Sequence, residues 1–157
     1  MKTRLLSRLS VAVLCYIAFS AAAPAGLWAQ PIPAAPATSV DGRKVVIPRN
    51  TVTASAGFYG FRTKSNVVVR FFAILDRNKN VHVAFDACDV CYQAKRGYRV
   101  VAGFAICNNC GQRFPLAAIG TDNIRGGCWP SYLPIHTTGS GVEIAVADLT
   151  KKEFLFK

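Results

Sequence analysis

Two Cys-x-x-Cys pairs, Cys88 with Cys91 and Cys107 with Cys110, stand fifteen residues apart in this 157-residue chain, and every fold open to it has to place them. Two sulfurs with two residues between them face one ion when the chain turns tightly, and two such turns set against each other complete a tetrahedron of sulfurs at about 2.3 Å from a metal. In "CNNCG" the second pair is followed by Gly111. Glycine accepts a positive φ there, which lets successive backbone N–H groups point at sulfur and stabilise thiolates. Between Cys88 and Cys128 lie Lys95, Arg96, Arg99, Arg113 and Arg125 against only Asp89 and Asp122. That balance suits the net negative charge of four thiolates around a divalent ion, although an ordinary surface shows a similar excess, so the cysteines carry the reading.

The compartment bears on whether these sulfurs oxidise. Lys2, Arg4 and Arg8 precede the apolar run "VAVLCYIAF" at residues 11–19, with small residues after it. This is the layout of a signal peptide over residues 1–29, cleaved after Ala29; the alternative is an uncleaved anchor over residues 11–27, interrupted by Pro24. Either way the remainder is expected outside the cytoplasm, in the periplasm or tethered to the inner membrane. Cys15 sits in the apolar run behind Leu14, not behind the small residue a lipidated cysteine needs, and reads as apolar filler. Five cysteines remain downstream, and an odd number leaves one thiol over in a framework made only of disulfides. Without Lys2, Arg4 and Arg8, sixteen basic residues face all eight acids, a net charge of +8. They are scattered, with no long basic run and no interleaved aromatic platform, so we expect a solvated surface and no nucleic-acid partner.

Residues 30–39 begin with "QPIPAAPAT", a Pro/Ala-rich stretch without apolar period, and read as a semi-extended linker; residues 40–157 read as one domain. Within it the pattern is strand-like: "KVVIP", "NVVVRFFAIL" and "VHVAF". The last two flank five turn-favouring residues, 76–80, which predicts a β-hairpin. Alternation places Val81, Val83 and Phe85 on a buried face, with His82, Ala84 and Asp86 on the other, leading the chain off the sheet into Cys88. A faint repeat relates Val45, Ile47 and Val52 to Val142, Ile144 and Leu149, as strand-and-turn units flanking the cysteine region. The expected fold class is mainly β, with a small α+β arrangement as its variant, and holds two facing Cys-x-x-Cys knuckles.

Neighbouring residues narrow the chemistry. Tyr92 and Gly111 stand where covalent haem attachment needs His, and no βαβ unit supports a thioredoxin-like site. Disulfides remain the competing reading in an oxidising compartment. Cys128, in "GGCWP", is an extra ligand, a replacement for one of the four, or a free buried thiol; we place it with the site, with Trp129 and Pro130 as cover. His82 and His136 read as ordinary polar residues. No nucleophile-and-base set and no phosphate loop stand out, which argues against an enzyme acting alone.

Taken together, "VRFFAILDRNKNVHVAFDACDVCYQAKRGY", "ICNNCGQRFPLAAIGT" and "GGCWPSYLP" resemble the FtrD-like (DUF2318) family of membrane iron–sulfur-containing proteins. The resemblance implies a cysteine-ligated centre outside the cytoplasmic membrane, beside high-affinity iron uptake, passing electrons. It places Cys88, Cys91, Cys107, Cys110 and Cys128 at the family's cysteine positions. Longer relatives carry several membrane spans ahead of the domain, whereas this chain shows a single export segment. The leading expectation is an iron–sulfur or iron centre on Cys88, Cys91, Cys107 and Cys110, with Cys128 nearby, serving electron transfer or iron handling with a membrane transport or redox partner. The alternatives are a structural-zinc module that recruits a membrane partner, and a copper or iron metallochaperone.

Overall fold

The longest apolar run, "VVRFFAIL", becomes β5 (Val68–Leu75), an inner strand of a four-stranded sheet ordered β1 (Ala35–Ala37), β4 (Gly57–Arg62), β5, β6 (Val81–Phe85). This computed structural model describes residues 34–37, 39–40, 42–122 and 126–157. The export segment with Cys15, the first four linker residues and Arg125 lie outside them. β4, β5 and β6 are antiparallel, while Ala35–Ala37, from the linker stretch, runs parallel to β4 with Ala35 opposite Tyr59.

The hairpin forms where the turn residues predict it. The Asp76 carboxylate accepts the N–H groups of Asn78 and Asn80 at 2.8 Å, and Leu75 stands opposite Val81. A nearly unbroken apolar strand is the mark of burial on both faces. Accordingly Val69, Phe71 and Ala73 join Val83 and Phe85 in one core, while Phe72, Ile74 and Ala84 enter a second. Alternation alone assigned β6 a single buried face, and here it needs correction: Ala84, on the other face, is fully buried because the cysteine-bearing layer packs over it. Each fully buried Phe contributes about 2–3 kcal/mol of hydrophobic stabilisation.

The first core is closed by a second antiparallel sheet, β10 (His136–Thr137), β11 (Gly141–Ala145), β3 (Lys44–Pro48), β2 (Ser39–Val40). The two halves of the faint repeat pair directly with each other: Ile47 lies opposite Val142 and Val45 opposite Ile144. Each strand then turns, one through the 3-10 turn Arg49–Thr51 and the other through helix α1 (Val146–Lys151), delivering Val52 and Leu149 to the same core. At six residues, α1 is too short to show a helical period in sequence.

The second core is closed by a three-stranded meander, β7 (Tyr98–Val101), β8 (Phe104–Cys107), β9 (Arg113–Pro115). Tyr98, Ala105, Cys107 and Phe114 face inward from it, against Phe72 and Ala84. The fold is thus β-rich, and its cysteines cluster where the first sheet and this meander meet. Among the described residues no helix is long and apolar enough to cross a membrane.

Candidate metal centre

The first knuckle begins where β6 ends. Cys88 is buried, and its Sγ accepts the Cys91 N–H at 2.9 Å, which closes the turn at 88–91. The chain continues into a 3-10 turn, Tyr92–Ala94, and leaves it through Lys95 at φ 52°. The second knuckle grows from β8. Cys107 accepts the Gly111 N–H on its carbonyl at 2.9 Å, and Gly111 takes φ +76°, the positive value its sequence position predicts. The N–H groups of Asn109 and Cys110 point at Cys107 Sγ.

One buried carboxylate joins the two knuckles. Asp86 accepts the Tyr98 N–H at 2.7 Å and pairs with Arg70 at 2.8 Å, so the start of β7 is fixed to the end of β6. Gly97 makes this approach feasible: at φ +59° a Cβ on it would collide with the Asp86 carboxylate. Burial pushes the Asp86 carboxyl up to about 6, against the opposing pull of the Tyr98 N–H and Arg70. Asn108 adds a second tie, accepting from Arg99 at 2.8 Å and donating to the Arg96 carbonyl at 2.9 Å.

Cys128 arrives on a strap that pairs with β6. Ala84 bridges Tyr132, Phe85 N–H donates to Ser131 O at 3.0 Å, and Ser131 N–H donates to Ala87 O at 2.8 Å. The Tyr98 hydroxyl donates to the Cys128 carbonyl at 2.5 Å. Trp129, expected to cover the site, packs on Phe114 with ring centroids 4.7 Å apart.

The result is a quartet of sulfurs: Cys91, Cys107, Cys110 and Cys128 present Sγ atoms that all lie within 4.8 Å of one another. Cys91 and Cys128 stand 3.1 Å apart. The spacing-based ligand set was Cys88, Cys91, Cys107 and Cys110; in the structure Cys88 stands beside the quartet and Cys128 completes it. All five cysteines are free thiols, and Cys110 alone among them is exposed. Hydrogen bonds from Asn109 first, then Cys128, lower the Cys91 thiol. Burial pushes Cys107 up to about 11 and moves Cys128 further in the same direction. A bound cation reverses that preference, since a coordinating thiol gives up its proton.

An all-sulfur donor set of four fits a thiolate-held metal, zinc or iron in particular. The two histidines do not join it. His82 lies between the Asp76 carboxylate at 3.1 Å and the Ile119 carbonyl at 3.0 Å, and His136 is exposed in β10. Sequence reasoning missed Asp86, Gly97 and Tyr98; the one local signal was a glycine placed between the two Cys-x-x-Cys pairs.

Comparison with curated proteins and with solved structures returned no match. A family model described as "Membrane iron-sulfur containing protein FtrD-like" matches residues 54–156, which span both knuckles, the Cys128 strap and the strands β4 to β9 that hold them, and the chain belongs to this FtrD-like family.

Proposed function

We propose that this chain is an exported metal-binding protein whose cysteines hold an iron–sulfur or iron centre, and that the centre serves electron transfer or iron handling beside a membrane transport system. The observation that carries the reading is the convergence of four thiols from three chain segments within 4.8 Å. Burial of Cys107 and Cys128, with Cys91 half-buried, favours a defined potential, while Cys110 brings one edge to the surface, where a redox partner has access. The family description, a membrane iron–sulfur protein, supports both the cofactor class and a partner at the membrane.

The test is a visible absorption spectrum and a redox titration of the full chain purified without oxygen. Iron-dependent absorbance that bleaches reversibly supports the reading. Colourless protein holding only zinc removes the redox role. A structural-zinc reading has one observation in its favour: the quartet ties together turns from separate parts of the chain, which is what a stapling ion does. In that case cysteine substitutions unfold the domain and no potential is measurable.

A further inference from the structure

We infer that the centre holds a single ion bound by Cys91, Cys107, Cys110 and Cys128, with Cys88 outside it as the residue that closes the first turn. This deepens the reading above and rests on it.

The first argument is one of size. Four sulfurs about 2.3 Å from one ion stand about 3.8 Å apart along each edge of their tetrahedron. The quartet lies within 4.8 Å throughout, close to that edge length. A bridged cluster makes a different demand. Sulfurs on different irons are separated by the iron–iron vector as well as by the projection of two metal–sulfur bonds, and along the diagonal they stand nearly twice a tetrahedron edge apart. Bridging sulfides also need room between the irons. A quartet this tight encloses one ion and nothing more.

The second argument is the place of Cys88. Its Sγ is not among the four that lie within 4.8 Å of one another, and it accepts the Cys91 N–H at 2.9 Å. Cys88 acts as a positioning residue: that bond closes the turn that aims Cys91 at the quartet.

The experiment uses the full chain, isolated without oxygen and reconstituted with Fe(II) in the presence and absence of sulfide. Iron and acid-labile sulfide are counted per chain in wild type, Cys88→Ser and Cys110→Ser. Serine keeps an acceptor for the Cys91 N–H at position 88, and position 110 is exposed, so neither change demands repacking; near-ultraviolet circular dichroism checks the fold of each. The expected result is about one iron per chain without sulfide in wild type and Cys88→Ser, and at least tenfold weaker iron retention in Cys110→Ser. Two or more irons with matching sulfide overturn the single ion and leave the iron-centre reading standing. Loss of iron from a folded Cys88→Ser to the level of Cys110→Ser overturns the ligand set. A wild type that retains no iron overturns both this inference and the iron-centre reading beneath it.

Discussion

Gly97→Ala probes the joint on which the centre depends. The backbone there has φ +59°, and an alanine forced into that left-handed region costs about 1–2 kcal/mol. Its Cβ also displaces the Asp86 carboxylate, a buried acceptor for the Tyr98 N–H, and losing a charge-assisted hydrogen bond of that kind costs about 1.5–3 kcal/mol. Together these give a destabilisation of about 2.5–5 kcal/mol, a large part of the ~5–15 kcal/mol available to a domain. Gly103→Ala is the internal control. Gly103 has φ +83°, and a Cβ at that position would meet nothing within 4 Å, so only the backbone cost applies. Equilibrium urea unfolding of both variants under anaerobic conditions, read as midpoint at constant slope, isolates the Asp86 contact as their difference, about 1.5–3 kcal/mol. Equal losses in the two variants would refute the claim that Gly97 is required by the carboxylate.

Tyr98→Phe removes the hydroxyl that braces the Cys128 carbonyl and is expected to cost about 1–3 kcal/mol in urea unfolding, with faster loss of metal to a chelator; unchanged metal release contradicts the bracing role. Asp76→Asn tests the hairpin lock. Asp76 is held down to about 2, chiefly by His82, so its folded value lies below the unfolded one near 3.8. The stabilisation is present above the unfolded value and is lost as pH falls through about 2. Thermal unfolding is therefore expected to separate wild type from the variant at about pH 6, and the gap is expected to close at about pH 2.

What was legible in the sequence depended on the range of the interaction that decided it. The hairpin over 76–80 is local chemistry, with an Asp side chain capping its own turn, and it forms as the residues predict. The positive φ at Gly111 is local in the same sense. Long-range pairing was not readable. The two halves of the repeat bond to each other because Ile47 meets Val142 across almost the full length of the domain. Cys128 reaches the site because its strap pairs with Ala84 and Ala87 of the first knuckle's approach, a register that no spacing rule encodes. The Cys-x-x-Cys motif marks Cys88 and Cys91 as equivalent. In the folded chain they differ: Cys88 Sγ accepts the Cys91 N–H and closes the turn, while the Cys91 sulfur joins the quartet.

X-ray absorption at the edge of the metal retained by anaerobically purified protein addresses the central claim, that opposed thiols converge on a shared cation. The account predicts four sulfur neighbours at about 2.3 Å and no lighter ligand. A first shell of oxygen or nitrogen, or native protein in which mass spectrometry finds the cysteines of the quartet bridged to one another, would contradict it.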